Sequence, residues 1–330
     1  MKLATKYLGL HLKNPFVAGA SPLGHDVTLI RRLEDCGAAA IVLPSLFEEQ
    51  IVLEKQARES HLEAHTEAFA EATSYLPEVD DFDKSSDEYL RLIQAAKEAV
   101  DMPVIASLNG ITPGGWVSHA RLLEQAGADA LELNYYDLPS DPDETGYDVE
   151  LRALELVRAV RDEVKIPLAV KLSPFFSSLP NFAKRLVAGG ADGLVLFNRF
   201  YQPDIDIEDL DVKPTLELST PSELRLRLRW LAILSSRLET SYAATGGVHW
   251  AVDAIRAIMA GATVVQMVSA LLRFGPEHLK GVIAEFTTWL ETHEYESASQ
   301  LRGAMNLRNS PDPTGFERTN YLRILHGWSI

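Results

Sequence analysis

The chain has 330 residues, 46% of them hydrophobic and 24% charged, with a formal net charge of −16. That is the make-up of a globular protein with a large core, and its negative field repels phosphate backbones, which excludes nucleic acid as an expected partner. No apolar run reaches the ~18 residues of a membrane span, and the first residues lack the apolar stretch of a secretion signal. The lone Cys36 excludes an internal disulfide, and a cytoplasmic location is expected.

Four copies of one phrase mark out the chain. They are Gly37-Ala38-Ala39-Ala40-Ile41-Val42-Leu43, Gly127-Ala128-Asp129-Ala130-Leu131-Glu132-Leu133, Gly190-Ala191-Asp192-Gly193-Leu194-Val195-Leu196 and Gly261-Ala262-Thr263-Val264-Val265-Gln266-Met267. Glycine ends a helix in a left-handed conformation because it carries no Cβ. The apolar run behind it suits a strand buried on both faces of a parallel sheet. The copies start 90, 63 and 71 residues apart. One strand–helix unit takes roughly 30 residues, so each interval holds about two units. Four marked strands, with one unmarked strand before each, make eight. The reading is an α/β fold, a single (β/α)8 barrel domain over residues 1–330.

In chain order, Tyr7 to Leu12 with Lys13-Asn14-Pro15 reads as an N-terminal β-hairpin. Barrel strands are expected at 16–19, 40–45, 104–108, 131–135, 168–172, 194–197, 242–245 and 264–268. Asp26 is the expected cap of the first helix, with Leu29, Ile30 and Leu33 on one face. Residues 47–86 form a long, lid-like insertion between the second strand and its helix. A second insertion, 198–221, carries the acidic run from Asp204 to Asp211. Leu224 to Arg229 alternates like a strand, but Leu224, Leu228, Leu231 and Leu234 also make a helical stripe. The barrel order needs a helix there, with Ser222 as its cap. A C-terminal extension, 297–330, carries Tyr321, Leu322, Ile324, Leu325 and Trp328, expected to pack onto the barrel or a partner.

Barrels of this kind keep their chemistry at the C-terminal strand ends. There the sequence places Asn109, Asn134-Tyr135-Tyr136-Asp137, Lys171, Asn198-Arg199, Thr245-Gly246-Gly247, and Gln266 with Ser269. Gly246-Gly247 offers bare backbone N–H groups to an anion, although a turn without a ligand explains the pair equally well. Lys171 interrupts an apolar strand, so its charge belongs in a polar pocket or in a pair with Glu132 across the barrel. His61 and His65, with Glu63 and Glu67 nearby, have the spacing of metal ligands on a helix. They lack the His-Glu-x-x-His order, and a solvated acidic helix with no metal is the reading. His249 either neighbours a phosphate or caps a helix. Cys36 reads as a buried structural thiol.

The segments Lys13-Asn14-Pro15-Phe16, Glu132-Leu133-Asn134, Val170-Lys171-Leu172-Ser173-Pro174, Thr245-Gly246-Gly247 and Gly261 to Gln266 with Ala270-Leu271 resemble, in that order, the dihydroorotate dehydrogenases. Those are FMN-binding (β/α)8 barrels whose domain is shared by flavin-dependent dihydropyrimidine dehydrogenases. The resemblance runs from about Tyr7 to Gly275. It implies an FMN oxidoreductase of pyrimidine metabolism, acting on CH–CH bonds of a small substrate, with a separate electron acceptor and a homodimeric state. It implies that Lys171 contacts the pyrimidine edge of the flavin and steadies the reduced, anionic ring, a fixed cation beside developing charge. It also implies a cofactor site of Gly19, Ala20, Asn109, Asn134, Lys171, Thr245, Gly246, Gly247, Met267, Val268 and Ser269, with Asn134 and Asn198 facing the substrate.

The sequence departs from the family pattern at definite places. Pro44 replaces a lysine at the end of strand two. Val268 replaces a glycine of the phosphate loop, adding bulk where close approach is expected, and Thr220 replaces a glycine before the seventh helix. Asp137, Leu138 and Pro139 stand where the family has a cysteine or serine base followed by Pro-Asn. Ala72 and Glu78 lie nearest an expected asparagine, and Arg199 replaces a serine. A buried site loses specificity when such hydrogen-bond partners go, so dihydroorotate itself is not the expected substrate. Asp137 is a candidate base if burial raises its pKa, or a loop residue capping a turn. Two alternatives stay open: a catalytically inactive barrel serving as a partner subunit or scaffold, and a flavin-free phosphate-binding barrel enzyme.

Overall fold

The computed structural model describes residues 1–54, 86–114, 116–199, 201–213 and 216–327. It begins with an antiparallel hairpin, β1 (Thr5–Tyr7) and β2 (Leu10–Leu12). The barrel follows as β3 (Phe16–Ala18), β4 (Ala40–Phe47), β5 (Val104–Asn109), β6 (Ala130–Asn134), β7 (Leu168–Leu172) and β8 (Gly193–Leu196). An exposed acidic hairpin, β9 (Asp204–Asp206) with β10 (Asp211–Lys213), comes next. Then β11 (Ser241–Thr245) and β12 (Val264–Met267) complete the ring, and β12 pairs with β3 to close it. All eight barrel strands run parallel, as the (β/α)8 reading expects.

The intervening helices are α1 (Val27–Asp35), α2 (Ser86–Ala99), α3 (Ser118–Gln125), α4 (Gly146–Glu163), α5 (Leu179–Ala188), α6 (Leu224–Ser235), α7 (Ala251–Ala260), α8 (Ser269–Phe274) and α9 (His278–Thr292). Asp26 caps α1 by accepting from the Thr28 N–H. Leu224 to Arg229 is helical. The turn leading into it starts at Thr220 rather than Ser222, because the Glu223 carboxylate accepts the Thr220 N–H.

The repeated phrase works at atomic level. Gly37, Gly127, Gly190 and Gly261 have φ of +103°, +102°, +113° and +123°, a region that side chains with a Cβ avoid. The third residue of three copies then caps the neighbouring unmarked strand. Asp129 accepts the Val104 N–H, Asp192 the Leu168 N–H and Thr263 the Tyr242 N–H. One phrase therefore ends a helix, ties down the start of one strand and begins the next.

Small residues inside the lower end of the ring, Ala40, Ala130, Ala169 and Ala243, leave space that Tyr7, Leu8 and Leu12 of the hairpin fill. Pro44 sits in β4 at a register shift between Val42 and Ser45, the kind of bulge where a missing N–H is tolerated. Cys36 is buried. In the C-terminal extension, Gly303, Met305 and Leu307 donate backbone bonds to Ile258, Met259 and Ala232, and Leu301, in α10 (Ala298–Leu301), is buried. That stretch packs on the barrel, whereas Tyr321, Leu322, Ile324 and Leu325 of α11 (Asn320–His326) are exposed, so of the two expected seats, barrel or partner, these four do not take the barrel. Trp328 and most of the 47–86 insertion lie outside the described residues.

Candidate active site

A cavity of about 700 Å³ opens at the C-terminal strand ends, within the usual range for small-ligand sites. Its lining includes Lys171, Arg199, Arg227 and His25, and among the described residues no carboxylate. A protein of net charge −16 thus presents a cationic interior to its ligand.

The floor is a buried charge cluster. Lys171 of β7 lines the cavity, and its Nζ also lies 3.3 Å from Glu132 Oε1. Pocket and pair with Glu132, the two options that its sequence position left open, are both realised, the pair lying between the neighbouring strands β6 and β7 rather than across the barrel. Gln266 Nε2 donates to the other Glu132 oxygen at 2.7 Å. Burial first, and the Glu132 charge second, hold the Tyr7 hydroxyl beneath them well above the usual phenol range. Gln266 Oε1 is buried and accepts from no described residue. Buried acceptors are rarely left so, and Gln266 lines the cavity, so the floor suits a ligand that brings an N–H donor.

A two-glycine turn after β11 also lines the cavity. Gly246 and Gly247 both have φ +85°. A Cβ on Gly247 would stand 2.6 Å from the Leu224 nitrogen, and one on Gly246 2.9 Å from Arg227 Nη2. The Gly247 N–H donates to Ser219 Oγ at 3.2 Å. Ser269 Oγ accepts from both the N–H and the hydroxyl of Ser219, at 3.0 and 2.8 Å, which leaves its own proton to donate. Arg227 donates through Nε to the Thr245 carbonyl at 3.0 Å and through Nη1 to the Glu223 carbonyl at 2.8 Å. Burial pulls its guanidinium below the usual range; Glu223 opposes this and the charge of Arg199 adds to it.

The departures from the family pattern are accommodated. The Val268 methyl Cγ2 lies 2.7 Å from where a Cβ on Gly19 would be, so part of its bulk lodges in the space that Gly19 leaves, although Val268 still lines the cavity. Thr220 is exposed and outside the lining. The Pro44 ring rests against Gly24.

At the mouth, Asn109, Asn134 and Asn198 converge. Asn198 Nδ2 donates to Asn134 Oδ1 and to the Tyr135 carbonyl. Tyr136 and Tyr201 face each other with ring centroids 6.5 Å apart. Ala20, Phe47 and Gln50 complete the wall.

Some expected residues are not brought in. Asp137 lies outside the lining; it accepts from the Tyr135 hydroxyl at 2.8 Å and from Arg152 at 2.6 Å. The ion pair holds this carboxylate away from the cavity, so the structure does not place it as a base. Gly19 and Met267 meet at the β3–β12 seam, where the Gly19 N–H donates to the Met267 carbonyl at 3.0 Å, and neither lines the cavity. His249 is buried outside it, and Asp253, not His249, caps α7. His61, Glu63, His65, Glu67, Ala72 and Glu78 lie outside the described residues. Sequence reasoning missed Ser219, Tyr201 and Arg227. Arg227 falls between Leu224 and Leu231 on the buried face of α6, and a charge on an apolar stripe was the available signal.

The profile of the dihydroorotate dehydrogenase family matches residues 81–290. The catalytic subunit of dihydroorotate dehydrogenase B (NAD(+)) from Methanocella arvoryzae is 32% identical over 280 residues, covering 82% of this chain and 87% of the relative. The corresponding subunit from Thermoplasma acidophilum is 25% identical over 311 residues, 91% of this chain and 98% of the relative. Chloroplastic dihydropyrimidine dehydrogenase (NADP(+)) from Arabidopsis thaliana is 24% identical over 322 residues, 89% and 75% of the two chains. The chain belongs to the dihydroorotate dehydrogenase family, whose members are oxidoreductases acting on CH–CH bonds.

Proposed function

We propose that the cavity binds FMN and that the chain oxidises or reduces a CH–CH bond of a small substrate seated at the mouth. One observation carries this reading. A largely buried cation and an unpartnered amide oxygen line the cavity together with a turn of two glycines at positive φ, which suits a ligand with an amide-edged ring and a phosphate tail. When bound, FMN supplies hydride transfer. Lys171, fixed by Glu132, sets a positive charge beside the ring, and a preorganised charge needs no rearrangement during reaction. Gln266 Oε1 accepts from the ring edge. Gly246, Gly247, Ser219 and Ser269 hold the phosphate, while Ala20, Asn109, Thr245 and Val268 wall the site.

Asn134 and Asn198 fix the substrate. With Arg199 in place of a serine and Pro44 in place of a lysine, a compound other than dihydroorotate is the better fit. Electrons pass to a separate acceptor. A homodimer and a cytoplasmic location belong to this reading; no helix among the described residues is long and apolar enough to cross a membrane.

A second reading, a flavin-binding barrel without turnover, is favoured by the lack of a carboxylate or thiol in the described lining. The visible spectrum of freshly purified protein, the mass of its released chromophore and anaerobic mixing with reduced pyrimidines test both. Flavin bands, an FMN mass and bleaching by a substrate support the first reading. Bound FMN that no candidate bleaches supports the second. A colourless protein that refuses added FMN defeats both.

A further inference from the structure

We propose that Arg227 recognises the phosphate of the bound flavin, so that this chain selects FMN over its unphosphorylated form through a buried side-chain cation. The inference rests on the FMN reading above.

Arg227 is 5% exposed and lines the cavity. Among the described residues no carboxylate lies within ion-pair distance of it. The charge of Glu223 favours it from beyond ion-pair distance, and a buried guanidinium without a close counter-charge is costly. Its two carbonyl bonds, to Thr245 and Glu223, fix the plane of the fork and consume Nε and Nη1. Nη2 is left against Gly246, with no acceptor among the described residues. The fixed fork matches a phosphate better than a mobile ammonium does.

Two neighbours strengthen the argument. The Ser269 hydroxyl also lines the cavity, accepts both of its bonds to Ser219, and so keeps its own proton to donate. Arg199 lines the cavity without an ion pair among the described residues, and its charge bears unfavourably on Arg227. A dianion in the cavity would relieve that repulsion and supply the counter-charge that the described lining lacks.

The alternative is a strap: Arg227 only braces the carbonyls of Thr245 and Glu223. A strap serves any flavin equally, because it acts on the loop and not on the charge. The test is equilibrium binding of FMN and of riboflavin, by flavin fluorescence, to wild type, Arg227→Gln, Arg227→Lys and Arg199→Gln across a salt series. Wild type is expected to prefer FMN strongly, with a preference that falls as salt rises. Arg227→Gln should weaken FMN roughly 10- to 100-fold, the value of a charge-assisted hydrogen bond, leave riboflavin unchanged, and be partly rescued by Arg227→Lys. The second ionisation of bound FMN, followed by phosphorus NMR, should sit below the free value of about 6 and move up in Arg227→Gln. If Arg227→Gln does not fold, the wild-type preference, its salt dependence and the partly exposed Arg199→Gln variant still decide. Equal weakening of both flavins, or equal wild-type affinity for both, overturns the proposal while the FMN reading stands. Wild type that binds neither flavin overturns both.

Discussion

Replacing Lys171 with methionine probes the floor of the cavity. The substitution keeps the length and the apolar stem but removes the charge 3.3 Å from Glu132 Oε1. Glu132, 1% exposed, then keeps only the Gln266 amide as a partner among the described residues. At an effective dielectric of about 20, two charges at that separation attract by about 5 kcal/mol. The Lys171 side chain is 13% exposed, so water screens part of this. Breaking buried pairs costs about 3–5 kcal/mol, and the lower end, about 3 kcal/mol, is expected here. Unfolding entropy of about 2.1 cal/mol/K per residue makes that a fall of about 4 °C in Tm for a chain of this size. Calorimetry of Lys171→Met and of the double variant Lys171→Met/Glu132→Gln is the assay, and the double variant should regain most of the loss. A single variant that melts within about 1 °C of wild type, or a double variant no better than the single, would refute the buried-pair argument.

Gly19→Ala places a Cβ 2.7 Å from Val268 Cγ2, an overpacking expected to cost about 1–3 kcal/mol in denaturant melts; adding Val268→Ala should recover most of it, and no recovery would separate the two residues. Asp137→Asn should slow flavin reduction less than twofold, where loss of a general base costs about 10²–10⁴, while lowering stability by about 1–3 kcal/mol as Tyr135 and Arg152 lose their acceptor; a large rate loss in stopped-flow would restore Asp137 as a base. Burial holds the phenols of Tyr7, Tyr89, Tyr135 and Tyr242 above the usual range. A raised folded pKa gives stability that is complete below the unfolded value near 10 and is lost as pH rises through the folded value. Stability should therefore fall above about pH 10, by up to about 1.4 kcal/mol per pH unit for each phenol. Ultraviolet titration should show these four ionising only with alkaline unfolding, and their release from folded protein near pH 10 would contradict it.

The barrel was legible because its phrase repeats, and each repeat must solve the same local problem of ending a helix and entering a buried strand. Strand ends fell within one or two residues of expectation, and Leu168–Leu172 matched fully. Side-chain direction was less legible. Gln266 and Val268 face the cavity while Met267 between them does not, the period-two alternation of a strand that a motif match overlooks. The two readings of Asp137, base or loop residue, could not be separated in the sequence because its direction is set by Arg152, fifteen positions on in another element. The exposed apolar residues of α11 carry the composition of a packed segment, and composition alone does not say which stretch of the extension docks. Arg227 was hidden in an alternating run that fits helix and strand alike.

The hairpin beneath the ring joins the first residues of the chain to strands made much later. The Leu8 N–H bonds to Ser241 Oγ, 233 positions on, and its side chain fills the space that Gly193 leaves by lacking a Cβ. Tyr7 lies under Glu132 of the fourth barrel strand. None of these seats exists until most of the ring has formed, so a hairpin that precedes the ring in the chain is among the last parts to settle. Contacts this distant in sequence carry the loop-closure cost that slows folding. Until then Tyr7, Leu8 and Leu12 stay exposed as apolar surface, and the half-made barrel has an open lower end. The newborn chain is therefore most open to wrong partners just before the hairpin closes the ring.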